Sequence, residues 1–156
     1  MTLALADRGF KAYDSESMKG VTRLEYKATG EPADWPEAPI NWDIYDFVWQ
    51  EDGLRKLIAS ADVVFIGASV GNQEKFYFLF DKVFVLTLDN QHLKARLASR
   101  DKSFGKHPEE LAGILAYNVE QQNKYMSAPY AVTIDASRSL DQIIDNILGH
   151  VNTAGK

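Results

Sequence analysis

The clearest hydrophobic pattern in the chain is a pair of short apolar runs, residues 63–66 and 83–86, separated by a turn and a compact amphipathic segment, residues 73–80. Neither run alternates with polar residues, which is typical of strands covered on both faces in a parallel sheet with crossover helices. The pattern predicts strand, loop, helix and strand, and therefore an open α/β fold. Ligands of such folds bind beyond the carboxyl ends of the strands, so residues 67–72 and 87–90 are the first candidates for a site.

The remaining elements are predicted from helix caps, glycine stops and apolar stripes. Helices are expected at residues 1–8, 42–49, 51–60, 91–99, 108–125 and 140–151, and strands at 10–13 and 130–134, with an exposed strand around Leu24 and Tyr26. Between residues 17 and 40 the periodicity is lost, and Gly30 with three prolines excludes a long element there. We expect this segment to cross the surface beside a binding cleft.

Length and composition narrow the class of protein. The 156 residues suit one domain, here residues 1–151 with a tail at 152–156. The net charge of −5, without a basic stripe, disfavours nucleic acid as a partner, and the absence of cysteine excludes disulfides and zinc–cysteine sites. The three histidines share no metal-ligand spacing, and no apolar stretch approaches the ~18 residues of a membrane span. With no signal-peptide pattern at the N-terminus, we expect a cytoplasmic protein that binds neither metal directly nor membrane.

Trp35, Trp42 and Trp49 are spaced seven residues apart. Packing in the core or under a lid is one interpretation of this spacing. Stacking against a ligand base is the other, because large aromatic rings serve both purposes. The sequence alone leaves both open.

A basic cluster is the strongest chemical signal. Arg96 and Arg100 are four residues apart and therefore share one face of a helix end, and Lys102 and Lys106 follow in a glycine-containing loop. Such groups can neutralise a polyphosphate, and phosphoryl transfer depends mainly on positioning and electrostatic stabilisation. The alternative is a solvated helix end whose cations favour the C-terminal dipole.

Three features together resemble the C-terminal half of P-loop small-molecule and nucleotide kinases, in particular adenylate-kinase-like and shikimate-kinase-like enzymes and related AAA-labelled ATPases. They are a strand that ends at Asp89, the Arg96-x-x-x-Arg100 helix that leads into a basic loop, and a last strand that runs into residues 134–140. The resemblance implies a three-layer sandwich with a mostly parallel sheet, and ATP with Mg²⁺ as cofactors. It implies phosphoryl transfer to a small molecule or nucleotide.

The resemblance also implies roles for individual residues. Arg96 and Arg100 would contact nucleotide phosphates and act in catalysis, and Ala136 and Ser137 would lie near adenine. Lys102 and Lys106 would help to close a lid at about residues 100–108, and Lys102 would also bind the nucleotide. Asp14, Glu16 and Asn72 would bind substrate, and Gly67 would face the transferred phosphate. Asp89 would reach magnesium or a hydroxyl, although capping the helix that follows is the interpretation we favour.

The chain departs from that family at its defining motif, because G-x-x-x-x-G-K-[ST] does not occur in it. Residues 1–9 resemble the end of the helix that follows this loop, so the loop and the first strand would lie upstream of residue 1. That strand normally lies between the strands at 61–66 and 82–88. Its loss would leave the facing edges of these two strands without a partner. A late start site, deliberate shortening and a remnant with a changed function would each explain the pattern.

Two functions remain open at this point. The first is a kinase-like or ATPase domain whose complete form transfers the γ-phosphate of ATP, with transfer impaired in this chain. The second is a non-catalytic nucleotide-binding or assembly module that dimerises through the vacant strand position. The absent phosphate loop favours the second function for this chain and the first for its ancestry.

Overall fold

The apolar runs and stripes form strands and helices in the computed structural model, which describes residues 1–37, 40–101 and 107–151. The chain divides into two compact units, Met1–Phe76 and Tyr77–Lys156.

The first unit combines a parallel strand pair with an antiparallel hairpin. Its elements are α1 (Thr2–Asp7), β1 (Lys11–Asp14), a 3₁₀ turn (Ser15–Ser17), β2 (Thr22–Tyr26), β3 (Tyr45–Trp49), α2 (Glu51–Ile58) and β4 (Val64–Gly67). β1 pairs with β4 in parallel, and β2 pairs with β3 antiparallel. The buried side chains of Leu5, Leu24, Val48 and Leu54 form much of its core.

The second unit is built on a second parallel pair. After a 3₁₀ helix (Gln73–Leu79) that spans the division, it contains β5 (Val83–Thr87), α3 (Asn90–Ser99), α4 (Pro108–Met126), β6 (Ala131–Asp135) and α5 (Leu140–Val151). β5 and β6 run parallel, with Thr87 opposite Asp135. The middle of the α5 apolar stripe is buried, with Ile143, Ile144 and Ile147 in the core beside Ile134 of β6, whereas Leu140 at its start is 50% exposed.

The predicted α/β class is confirmed, with short parallel pairs and helices. The described strands form three two-stranded sheets, so β4 has β1 as its neighbour and β5 has β6. The prediction that both central strands are covered on both faces is wrong. β4 is half-buried along its whole length, and Leu86 of β5 is exposed. Each strand of a two-stranded sheet keeps an open edge, which limits its burial. No helix in the described part of the chain is long and apolar enough to cross a membrane.

The predicted helix at residues 42–49 is wrong, since Tyr45–Trp49 is strand β3. The apparent helix cap at Asn41 forms a local turn instead, in which its side-chain oxygen accepts a hydrogen bond from the Asp43 N–H at 3.0 Å. Aromatic and β-branched residues then favour the extended chain, and pairing with β2 stabilises it. The amphipathic segment after β4 forms a 3₁₀ helix over residues 73–79. The last strand, β6, begins at Ala131 because Tyr130 has a positive φ of 57°, which is not a strand conformation.

Gly53 marks the tightest approach in the first unit. It lies in α2, and a Cβ at this position would overlap the Gly20 carbonyl oxygen and lie 2.8 Å from the Cα of Val21. The Gln50 N–H donates to the Val21 carbonyl at 2.8 Å and fixes the start of the same helix. Glycine is therefore required for α2 to lie directly on the backbone of residues 20–21.

Candidate functional site

The arginine helix and the loop after the last strand meet in the second unit. The guanidinium of Arg96, in the last turn of α3, donates a hydrogen bond to the carbonyl oxygen of Ala136. Ala136 is buried, and its N–H donates to the Thr87 carbonyl at 2.8 Å, which fixes the loop to the end of β5. Arg96 and Ala136, both expected at a nucleotide site from sequence, are thus in direct contact.

Ser137 completes a tight turn with the carboxylate that precedes it. Its N–H and its hydroxyl both donate to Asp135 Oδ1, at 2.9 and 2.6 Å, and Arg138 Nε donates to Oδ2 at 3.3 Å. The hydrogen bonds from Ser137, followed by the Arg138 guanidinium, lower the pKa of Asp135 below its ordinary value. The carboxylate at the end of β6 is therefore ionised near neutral pH.

Asp89 holds the corresponding position at the end of β5. Its Oδ1 accepts the His92 N–H at 2.9 Å, and its Oδ2 lies 2.5 Å from His92 Nδ1. The backbone hydrogen bond, then the side-chain contact, lower the pKa of Asp89. The interpretation of Asp89 as the cap of α3 is confirmed.

The lowered pKa values give a testable pH dependence for these carboxylates. Because folding favours the ionised form, the stabilisation is present above the ordinary pKa of 3.8 and is lost as the pH falls through the lowered folded-state pKa. We expect carboxyl ¹³C titration by NMR to give midpoints below 3.8 for both groups. Ser137→Ala should raise the midpoint of Asp135 and leave that of Asp89 in place. An unchanged Asp135 midpoint in this variant would show that the Ser137 hydroxyl does not lower the pKa of Asp135.

An open cleft of about 550 Å³ lies against the same strand ends. Its lining consists of Thr87, Leu88, Asp89, Asn90, Asn118, Val119, Gln122, Asn123, Met126, Thr133 and Asp135. The carboxyl ends of β5 and β6 form one wall, and α4 contributes the other. Arg96 and Ala136 are not among the lining residues.

Two amide side chains of α4 that the sequence analysis missed shape this cleft. Gln122 accepts the Leu88 N–H at 2.8 Å and donates to the Leu88 carbonyl at 3.0 Å. Asn118 donates to the same carbonyl at 2.9 Å. Residues 118 and 122 continue the i, i+4 series that begins at Ile114, and two amides in line with an apolar residue were the available signal.

In the first unit, Asp14 and Glu16 lie at the carboxyl end of β1, as the strand prediction requires. Asp14 Oδ1 accepts the Glu16 N–H at 3.3 Å. The Glu16 carboxylate accepts the N–H of Ser69, which lies in the loop after β4. Both acidic side chains are exposed, so they remain accessible to a ligand.

Asn72 is engaged by the protein itself. Its side-chain oxygen accepts the Trp49 N–H and its amide nitrogen donates to the Trp49 carbonyl, both at 2.9 Å. The side chain therefore acts as a clamp that mimics a strand partner for the end of β3. This geometry gives Asn72 a structural role in addition to the substrate contact expected from the resemblance.

We expect Asn72→Ala to destabilise the protein, because two backbone groups of Trp49 would lose these partners. The expected loss is about 2 kcal/mol, measured by urea unfolding. Asn123→Ala is the matched control, since Asn123 is exposed and surface substitutions usually stay within about 0.5 kcal/mol. Equal unfolding midpoints for the two variants would show that the clamp does not stabilise β3.

The three tryptophans have different environments. Trp49 is buried, and its indole N–H donates to the Ser15 hydroxyl at 2.9 Å, so core packing is correct for this residue. Trp35 and Trp42 are 60% and 51% exposed.

Two other predicted site residues lie at the ends of secondary-structure elements. Arg100 directly follows α3 and is half-buried. Gly67 ends β4, and its carbonyl accepts the Ser15 hydroxyl at 3.1 Å. Lys102 and Lys106 lie outside the described residues. Within the described ranges, no group of three or more histidine, aspartate or glutamate side chains is arranged to hold a metal ion.

Comparison with known proteins does not assign the chain to a family. No family model, curated protein or solved structure matches it.

Proposed function

We propose that the chain is a P-loop kinase-like α/β domain that binds a nucleotide at the carboxyl ends of β5 and β6. In its complete form, such a domain transfers the γ-phosphate of ATP to a small molecule or nucleotide. The contact between Arg96 and Ala136 carries this proposal, because it joins the arginine helix to the loop expected near adenine. Asp89, Asp135 and Ser137 surround the same strand ends.

The chemistry of Arg96 suits this role. An arginine that bonds a neutral carbonyl keeps further N–H donors for a phosphate, and charge-assisted bonds to phosphate are about twice as strong as neutral ones. In phosphoryl transfer the developing charge spreads over oxygen atoms, so a positioned guanidinium stabilises the transition state. Arg100, four residues later, would bind the phosphates in the same way.

From the resemblance, we propose that Asp14 and Glu16 of the first unit bind the acceptor. The loop contact from Ser69 fixes the Glu16 carboxylate, and both carboxylates stay exposed at the end of β1. Mg²⁺ usually enters such sites with the phosphates and needs only one or two carboxylates, which Asp89 at the end of β5 would supply. When bound, it would neutralise phosphate charge.

We expect this chain to bind ATP without efficient turnover. The phosphate-binding motif, whose backbone amides and lysine hold the β- and γ-phosphates, does not occur in residues 1–156. The arginine side of the site would then provide most of the affinity.

Isothermal titration with ATP and Mg²⁺ tests the proposal on three proteins. The unchanged chain should bind, Arg96→Ala should weaken binding about tenfold, as expected for one lost charge-assisted contact of about 1.5 kcal/mol, and Arg55→Ala should bind like the unchanged chain. Arg55 is a suitable control because it is an exposed arginine paired with Glu51 in the first unit. Absence of heat at millimolar ATP, or equal losses in both variants, would overturn the proposal.

The strand edges support the alternative function, an assembly module. Among the described strands, β4 and β5 have one strand neighbour each, and Val63 and Leu86 are exposed at or beside them. Unpaired edges with apolar side chains favour pairing with another chain. Sedimentation equilibrium should then show a dimer that Leu86→Lys weakens. A monomer at all accessible concentrations would exclude this function.

A further inference from the structure

The outer half of the β2–β3 hairpin exposes aromatic rings. Tyr26 lies opposite Tyr45, with ring centroids 5.3 Å apart, and the ring of Trp35 lies 5.5 Å from that of Phe47. Tyr26 is 40% exposed and Trp35 60%. We refer to these four residues as the aromatic face. Because Tyr45 and Phe47 are two residues apart on β3, the two ring pairs repeat at about 7 Å along the strand.

The net charge of the chain is concentrated in the same segment. Residues 25–46 contain six acidic residues and a single basic one, Lys27, which gives a net charge of −5. One of the six, Glu25, forms an ion pair with Arg23 at 3.0 Å, so the other five dominate the local field. The whole chain also has a net charge of −5, so acids and bases balance outside this segment. Glu31, Asp34 and Asp43 are exposed in this segment, and the Tyr26 N–H donates to the Glu31 carbonyl at 2.9 Å. Such a field attracts cations and repels polyphosphates and nucleic acid.

Exposed rings combined with excess negative charge fit the guanidinium group. It stacks on tryptophan and tyrosine rings and also binds carboxylates through two parallel hydrogen bonds. A purely apolar partner would leave the carboxylates without a counterpart. The spacing adds a further constraint, since side chains of an extended peptide that point to one side also repeat at about 7 Å.

We propose that the aromatic face binds an extended segment of a partner protein with arginine at alternate positions. Its arginines would stack on the Tyr26–Tyr45 and Trp35–Phe47 pairs, while Glu31 and Asp34 would pair with their charges. The site lies within the first unit and is independent of the nucleotide proposal. It would recruit a protein partner.

Tryptophan fluorescence and isothermal titration on the full chain test the proposed site. The probe is a peptide of four Ser-Arg repeats with an acetylated N-terminus and an amidated C-terminus. We expect binding that weakens as salt rises. Trp35→Ala should weaken it about two- to fivefold, the effect of one exposed cation–π contact, and Glu31→Gln with Asp34→Asn should weaken it and reduce its salt dependence. Phe78→Ala, which removes an exposed ring of the second unit, should have no effect. Circular dichroism checks that each variant is folded.

Four comparison ligands make the result decisive. A Ser-Glu repeat and an apolar Ser-Leu repeat should not bind, and a peptide with its four arginines in one block should bind more weakly than the alternating one. Binding of spermine as tight as that of the alternating peptide would overturn the assignment to a peptide partner. Absence of binding at millimolar peptide, or full affinity in both hairpin variants, would overturn the site itself.

Discussion

Replacing Gly53 with alanine is expected to destabilise the protein by at least about 2 kcal/mol, because overpacking against a backbone that cannot move typically costs 1–3 kcal/mol. The new Cβ would overlap the Gly20 carbonyl, which is backbone rather than the end of a flexible side chain. Relief requires α2 to move away from residues 20–21, and this would withdraw Leu54 from the core. Thermal unfolding should occur roughly 6 °C lower, given about 2–4 °C per kcal/mol for a chain of this size.

Gly113→Ala is the matched control. Gly113 is also helical, and a Cβ there meets nothing within 4 Å. Alanine is favoured over glycine in a helix by about 1 kcal/mol, so this variant should be slightly more stable. The two substitutions should therefore have opposite signs. A stabilised Gly53→Ala variant would show that α2 does not lie against residues 20–21.

Ile144→Ala is expected to cost about 3 kcal/mol, within the range of 2–5 kcal/mol for deletion of a buried isoleucine side chain. Ile144 is fully buried on α5. Loss of its side chain would leave a cavity in the core of the second unit, which also contains Ile134 of β6. Because β6 leads directly into Ala136, the variant should also weaken the loop that contacts Arg96.

Urea unfolding of three variants separates packing from helix propensity. Ile144→Val should cost only about 1 kcal/mol. Asn146→Ala, at an exposed position of α5, should stay within about 0.5 kcal/mol of the unchanged chain. Equal stability of Ile144→Ala and Asn146→Ala would contradict burial of the α5 stripe.

The parts of the fold that could be predicted are those in which local pattern and packing agree. In α5 the apolar positions repeat with helical period, and this stripe faces the core. In β3 the local signals conflict, since Asn41 provides a helix-cap signal while residues 45–49 favour a strand. The turn at Asn41 and pairing with β2 decide the outcome, and pairing depends on residues distant in sequence.

The candidate site was predictable to a similar extent. The strand pattern pointed to the ends of β4 and β5, and the resemblance singled out both Arg96 and Ala136, which the fold brings into contact. The clamps formed by Asn72 and Gln122 were not predictable, because each binds the backbone of a residue more than twenty positions away. Sequence pattern indicates which residues are polar, whereas their partners are decided by tertiary structure.

The central claim is that a nucleotide binds where α3 meets the loop after β6. The most direct test is an amide ¹H–¹⁵N NMR titration of the chain with ATP and Mg²⁺. We expect the largest shifts at residues 87–100 and 134–138, and their loss in Arg96→Ala. Shifts that are absent, or that concentrate in other parts of the chain, would contradict the account.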